Sequence, residues 1–403
     1  MATQIKQKNT LTLQDENSFE FLSGLWTGKK PPYTKAVVIR NTNFSNDGKI
    51  DYSNIAVLDV EAKQLQSRKL EKGDIIIERS GGGPKQPVGR VVYFDKETSE
   101  IDYSFSNFTS TIRVKDKQNF DSRYVFYFLY NFYAEGNTDH LQRRTTGIRN
   151  LDFSSYKESV IFPSISISEQ KAVAQALLIV QDAIAEQEKV MAKLKELKRS
   201  MVQHLFTHGT KGEKTKMTEF GEIPESWEMI KLGDVVNFTT GKLNANAMEP
   251  GGIYPFFTCS QDNYQINSYA FDCEALLLSG NNARAVYSVK YYKGKFNAYQ
   301  RTYIITLKNK QDSYSYMRYM LEMNLSRLQS ISIGSSTKYL TLGLLTNLPI
   351  FKPDHEEQQK IGSAIDSINN KIDSTQEKLS AYQNLFKTLL HELMSGERRI
   401  KNI

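Results

Sequence analysis

Several short stretches have residue types and spacings that could do chemistry. Lys30-Pro31-Pro32-Tyr33 carries the paired prolines and aromatic ring of a DNA adenine methyltransferase motif. That reaction needs Asn, Asp or Ser ahead of the prolines to accept from the adenine amino group. A lysine ammonium only donates, and no glycine-rich cofactor loop accompanies it. Gly81-Gly82-Gly83-Pro84-Lys85 is rich in glycine, yet the phosphate-loop pattern GxxxxGK(S/T) is missing and no helix signal follows. It reads as a turn beside phosphates or a plain loop. Pro353-Asp354 followed by Glu357-Gln358-Gln359-Lys360 has the wrong spacing for a nuclease PD…(D/E)xK site. His204 and His208 stand one helical turn apart, but no third ligand is in view, and a helix end explains them. The expectation is a chain with no catalytic residues and no metal site.

Recognition chemistry is better represented. The formal net charge is +7 and the pI about 9.0, which favours a polyanionic partner because cationic surfaces release counterions from phosphates. Arg, Asn and Gln can bond bidentately to base edges, and Lys mostly supplies phosphate contacts. Groups of this kind in turns beside apolar runs are the candidates for DNA contact. In the first part of the chain they are Arg79, Ser80, Lys85, Arg90, Arg143, Arg144 and Arg149. In the second part they are Lys242, Asn281, Asn282, Arg284, Lys295, Tyr299, Arg301, Thr337 and Lys338.

The elements that position these residues follow from an internal repeat. Residues 163–209 and 353–396 register at a constant step of 188, pairing Glu169-Gln170 with Glu357-Gln358. Each segment opens with a capping box, Ser166 with Glu169 and Asp354 with Glu357, in which cap and glutamate satisfy each other's backbone N–H. Each closes on a glycine, Gly209 and Gly396, suited to a left-handed C-terminal position. Between them apolar residues recur every three or four positions. The first stripe is Val173, Leu177, Val180, Ile184, Met191 and Leu194, continuing through Leu197, Met201 and Leu205. The second is Ile361, Ile365, Ile368, Ile372, Leu379 and Tyr382, continuing through Leu385, Leu389 and Leu393. Neither helix can bury its stripe alone. Equal length and pattern predict an antiparallel coiled-coil pair of roughly 60 Å; the alternative is two helices packed separately on their own globules.

What remains is two globules. Both mix apolar or β-branched runs with turn signals: AVVIR (36–40), GDIIIERS (73–80) and GRVVYF (89–94) in one, EALLLSG (274–280), ARAVYSV (283–289) and RTYIITL (301–307) in the other. Each then has a helical stretch, residues 122–133 and 314–325. The predicted fold class is α/β (α+β), with two mixed domains joined by two long antiparallel helices in pseudo-two-fold arrangement. The boundaries are 1–162 for the first recognition domain, 163–209 for the first spacer helix and 210–218 for an exposed linker. The second domain spans 219–352, and 353–403 forms the second helix and tail. The chain has 403 residues and only two cysteines, Cys259 and Cys273, which excludes a disulfide framework or a four-cysteine zinc site. With no apolar run near the roughly 20 residues of a membrane span, a cytoplasmic location is expected.

This organisation resembles the specificity subunit of Type I restriction–modification systems. The repeated Glu169-Gln170 and Glu357-Gln358 carry the resemblance, with FGEIPESWEMIKLGD (Phe220 to Asp234), KGDIIIERSGG (Lys72 to Gly82) and GKFNAYQRTY (Gly294 to Tyr303). The first domain has no counterpart of IPESW…LGD and runs directly into ENSFEFLSGLWTGKKPPY. The resemblance implies a non-catalytic subunit that reads a bipartite site in double-stranded DNA, one half per domain. It implies two modification (methyltransferase) subunits and restriction (endonuclease and translocase) subunits as partners. S-adenosylmethionine, ATP and magnesium would then belong to those partners, with no cofactor in this chain. A self-contained nuclease or methyltransferase, and a scaffold whose globules bind protein, are the competing readings.

Overall fold

The computed structural model describes residues 11–26, 28, 30–83, 86–97, 101–145 and 147–400, with 144 and 145 as backbone only. The chain forms two compact units, Met1–Gln187 with Leu379–Ile403, and Glu188–Lys378. Four helices organise them: α1 (Ser122–Ala134), α2 (Ile167–His208), α3 (Tyr314–Met323) and α4 (His355–Ser395). Both α2 and α4 run from one unit into the other.

In the first unit an antiparallel sheet orders Phe19–Ser23, Thr109–Val114, Ile75–Glu78 and Val91–Tyr93. A second sheet orders Ala56–Glu61, Tyr33–Ile39 and Tyr103–Phe105, the last pair parallel. Ile75, Ile76 and Ile77 are all fully buried, as a strand covered on both faces requires. Their alternating directions divide the unit's core in two. Ile75 and Ile77 join Tyr124 and Val125 of α1, Val173 and Leu177 of α2, and Leu390 and Leu393 of α4. Ile76 instead packs with Val92, Phe94 and Phe105.

The second unit repeats this plan. Its sheet orders Val236–Thr240, Thr302–Leu307, Phe271–Ser279, Val289–Ala298, Tyr254–Phe257 and Tyr264–Ile266. The parallel pairing recurs between Tyr254–Phe257 and Val289–Ala298. Here one long strand, Val289–Ala298, does what Val91–Tyr93 and Tyr103–Phe105 do separately in the first unit. Leu276 and Leu278 face Tyr316 of α3, Phe206 of α2, and Ile361 and Ile365 of α4. Leu277 faces Phe257, Phe296 and Ile304.

Within each unit, then, the start of one long helix shares a core with the end of the other, which is antiparallel packing. Val173, Leu177, Val180, Met191, Ile361, Ile365, Ile368 and Leu379 are buried. Ile184, Leu194, Ile372 and Tyr382 are half-buried. Leu197 and Leu385, also expected on the stripes, are exposed. The apolar pattern outlasts the surface available to cover it.

The structure adds detail to three further readings. The cap half of each capping box forms: Ser166 Oγ accepts from Glu169 N at 3.2 Å and Asp354 Oδ1 from Glu357 N at 2.9 Å. The glutamate carboxylates have stronger partners elsewhere, Arg399 for Glu169, and Thr210 and Trp227 for Glu357. Residues 210–218, expected as an exposed linker, are exposed or half-buried throughout, and Thr215–Thr218 pairs with Gly221–Pro224 as a hairpin. Within the apolar run ARAVYSV, residues 283–288 form a turn and an extended segment, and Val289 begins the strand. Ala285 there sits at φ 53°, a left-handed conformation that no strand residue adopts.

Candidate nucleic-acid interface

The central strand of each unit runs straight into a two-residue or three-residue ribbon. In the first unit Ile75–Glu78 leads to Ser80–Gly82, which pairs with Ile148–Leu151, itself paired with Gln142–Thr145. This small sheet places Arg149 opposite Gly82 and Arg143 opposite Asn150. Ser80 Oγ donates to Asn150 Oδ1 at 2.5 Å. In the second unit Phe271–Ser279 leads to Asn281-Asn282, which pairs with Lys338-Tyr339. Distant sequence candidates are thus gathered at one topological position in each unit.

The residue just before the neighbouring core strand anchors each ribbon. Phe108 O accepts from Arg79 N at 2.9 Å and Ser80 N at 3.1 Å, and Arg301 O accepts from Gly280 N at 2.9 Å. Phe108 and Arg301 therefore occupy equivalent positions, each preceding a threonine that pairs with the end of the central strand. Gly24 and Gly241 complete the equivalence. A Cβ on Gly24 would lie 1.8 Å from Ser106 O, and one on Gly241 1.9 Å from Ala298 O, so only glycine permits this close backbone approach.

Beside the first ribbon lies a cleft lined by Trp26, Arg40, Asn41, Thr42, Asn107 and Phe108. Trp26 is 67% exposed and Phe108 41%, which is high for rings of this size. Asn41 Nδ2 reaches Ser80 O at 3.3 Å and Glu78 Oε1 at 3.1 Å, joining cleft to ribbon. These aromatic and amide groups were missed in the sequence. Their only signal is an aromatic or asparagine next to a turn, as in Leu25-Trp26 and Asn107-Phe108. In the second unit the missed members are Asn244, Gln300 and Tyr339. Gln300 Nε2 donates to Asn244 Oδ1 at 3.1 Å, and Tyr339 lies exposed on the ribbon.

The predicted residues divide by what the fold asks of them. Arg90 is not available for DNA: its guanidinium donates to both oxygens of Glu78 at 2.9 and 3.0 Å, to Phe44 O at 3.1 Å and to Asn41 O at 3.2 Å. Glu78 is only 2% exposed, and such a buried carboxylate needs a hydrogen-bonded charge partner. Arg79 is also structural in large part. It lies 4.3 Å from the Phe153 ring centre and donates to Ser110 Oγ at 3.3 Å, and burial lowers its pKa. Arg143 is exposed but ion-paired with Asp152. Arg149 is half-buried on the ribbon. Lys85 and the side chain of Arg144 lie outside the described residues.

In the second unit Lys242, Arg284, Arg301 and Thr337 are exposed, and Asn281, Asn282, Tyr299 and Lys338 are half-buried. Asn282 Oδ1 accepts from Arg284 N at 2.8 Å, shaping the turn that presents Arg284. Tyr299 bridges to Leu243 beside Lys242. Lys295 is placed differently. It sits opposite Asp272, at the far end of the strand whose other end enters the ribbon, with Nζ 4.7 Å from the Tyr269 ring centre.

Both units thus offer guanidinium, amide and aromatic groups on short strands and the turns beside them, a set suited to base edges. His204 and His208 are exposed and stack at 4.8 Å. Among the described residues no group of three or more His, Cys, Asp or Glu could hold a metal ion, and no helix is long and apolar enough to cross a membrane.

The duplication decides the family. A profile described as Type I restriction modification DNA specificity domain matches residues 27–197 and again residues 224–381. The chain belongs to this family. Each matched stretch covers most of one sheet-and-ribbon module and most of the long helix that follows it. The Escherichia coli Type I restriction enzyme EcoDI specificity subunit is 36% identical over 181 residues, 44% of this chain and 40% of that relative. The match therefore spans less than half of the length of that protein. The MjaVIII specificity subunit of Methanocaldococcus jannaschii is 26% identical over 291 residues, 65% of this chain and 67% of its own length. Among solved structures, the Type-I restriction-modification system S subunit from M. genitalium is similar with a TM-score of 0.66. The identity is 17%, and the likeness covers 96% of this chain and 97% of that one. At that identity the likeness concerns the fold.

Proposed function

We propose that this chain is the non-catalytic, DNA-reading subunit of a Type I restriction–modification complex acting in the cytoplasm. Each module reads one half of a split site in double-stranded DNA, and the long helices carry both modules on one polypeptide. Two modification subunits and the restriction subunits dock on the chain. S-adenosylmethionine, ATP and magnesium act in those partners.

The observation that carries this reading is the pair Phe108 and Arg301. Two modules with one topology place different chemistry at the same position, an aromatic ring in one and a guanidinium in the other. Equivalent frames with unequal contact groups are what two dissimilar half-sites require. Arg301, Asn281 and Asn282 suit guanine and adenine edges in the major groove. Lys242 and Lys338 suit phosphates. In the first module Arg149, Asn41 and the Trp26–Phe108 cleft take the equivalent part.

The test is co-expression with a modification subunit of the same system, followed by sequencing for methylated adenine. Methylation at a split motif supports the reading, provided that exchanging one module changes only one half. A stable complex that methylates nothing, with no salt-dependent binding of duplex DNA, would leave a protein-binding scaffold as the better account.

A further inference from the structure

A second repetition lies between each module and the long helix that follows it. Gln170 of α2 and Gln358 of α4, 188 residues apart, are 3% and 1% exposed. Gln170 Oε1 accepts from the backbone N–H of Asp121, the N-cap of α1, at 3.0 Å. Gln358 Oε1 accepts from that of Ser313, the N-cap of α3, also at 3.0 Å. Each Nε2 donates to the same module, to Asn119 O at 2.8 Å or Asp312 Oδ1 at 3.1 Å. Each also donates back to the start of its own long helix, Ile165 O at 3.3 Å or Pro353 O at 3.1 Å.

A second point of attachment repeats at the same step. Tyr127, six residues past one N-cap, donates to Gln181 Oε1 at 2.9 Å, and Gln181 Nε2 donates to Asp47 O at 2.8 Å. Tyr319, six residues past the other, donates to Asp366 Oδ1 at 2.6 Å and accepts from Asn369 Nδ2. Asn369 lies 188 residues after Gln181. Burial pushes the pKa of both phenols up, so they remain donors.

We infer that this two-point polar clamp sets the angle at which each recognition module leaves its long helix, and that Gln170, Gln181, Gln358 and Asn369 are positioning residues for selecting half-site separation. Apolar contacts alone allow two packed helices to slide and rotate, because they are non-directional. Two hydrogen-bonded points along one helix remove that freedom. Only a primary amide can fill the Gln170 and Gln358 positions, since each both accepts from an N–H and donates to oxygens. A carboxylate there would face those oxygens as a second acceptor.

This inference rests on the split-site reading above, and the experiment separates the two. The full complex with its modification subunits is given a plasmid library in which the two half-sites are separated by the natural gap or by one base pair more or fewer. Wild type is compared with Tyr127→Phe and Tyr319→Phe, which delete one hydroxyl each, and with Gln170→Met and Gln358→Met. The expected result is that wild type methylates one gap, whereas the variants raise methylation at the neighbouring gaps relative to it by about tenfold, roughly what one lost hydrogen bond permits. Equal loss at every gap, or an unchanged ratio, overturns the clamp while leaving the split-site reading intact. A wild-type complex that methylates no split motif overturns both.

Discussion

Trp227 donates its indole N–H to Oε2 of Glu357 at 3.1 Å, with both side chains buried. Oε1 of the same carboxylate accepts from Thr210 N at 2.7 Å, and Lys211 Nζ lies 3.3 Å from Oε2. One acidic side chain at the start of α4 thus ties down the end of α2, the hairpin segment and the beginning of the second module. Replacing Glu357 with Leu leaves Trp227 and Thr210 without acceptors. The expected loss is about 3 kcal/mol of unfolding free energy, read from urea titration, with a smaller loss for Glu357→Gln. A loss below about 0.5 kcal/mol, the level of ordinary surface changes, would show that the tie is not stabilising.

Asp354 gives a pH prediction. Lys211 beside it and the N–H of Glu357 that it caps hold its carboxyl below the ordinary value of 3.8. A group whose pKa is depressed by folding stabilises the folded state above its unfolded pKa and loses that contribution as pH falls through the folded one. Asp354→Asn keeps the cap and removes the charge. The variant should be slightly less stable than wild type at pH 6, and the difference should shrink as pH falls below 3.8 and through the lowered folded-state value. Equal stability differences at both pH values would show that charge plays no part.

Arg90 separates scaffold from contact. Removing it leaves Glu78 as a buried carboxylate without its charge partner, so Arg90→Met should cost about 3–5 kcal/mol. Arg149→Ala, by contrast, should leave stability within about 0.5 kcal/mol and weaken DNA binding. Thermal unfolding and duplex titration on both variants distinguish these outcomes, and the reverse pattern would exchange the two roles.

Arg301 and Lys242 should differ in kind. Loss of a bidentate base contact costs about 1–3 kcal/mol of discrimination at one position, so Arg301→Ala should relax one base in one half of the motif. Lys242→Ala should weaken binding to all sequences alike and lower the salt slope by about one. Methylome sequencing reads the first, and titration across salt concentrations reads the second.

The two long helices offer a packing test. Leu177→Ala removes a fully buried side chain from the first unit's core and should cost about 2–5 kcal/mol. Leu197→Ala removes an exposed one and should change stability by less than about 0.5 kcal/mol. Similar losses for both would mean that Leu197 is covered in the folded protein.

The sequence by itself determined the duplication, the two long helices and the main core strands. These depend on short-range physics. Turn periodicity places Val173 and Leu177 on one face, Ser166 and Asp354 supply caps three residues away, and a run such as Ile75-Ile76-Ile77 needs cover on both faces wherever it lies. The glutamates of the capping boxes already escaped this reasoning. Their partners, Arg399 for Glu169 and Trp227 for Glu357, lie far along the chain.

Only the tertiary structure decided which candidate side chains are free to bind. Arg79, Arg90, Arg143 and Arg149 look alike in sequence, but Phe153, Glu78 and Asp152 engage the first three. Ser80 meets Asn150, and Asn41 meets Ser80, through strand pairing that no local pattern specifies. The same holds for Leu197 and Leu385, whose periodicity was right and whose cover is absent among the described residues. Backbone preference is set within a turn or two of chain, whereas the availability of a charge, amide or apolar face is set by whatever folds against it.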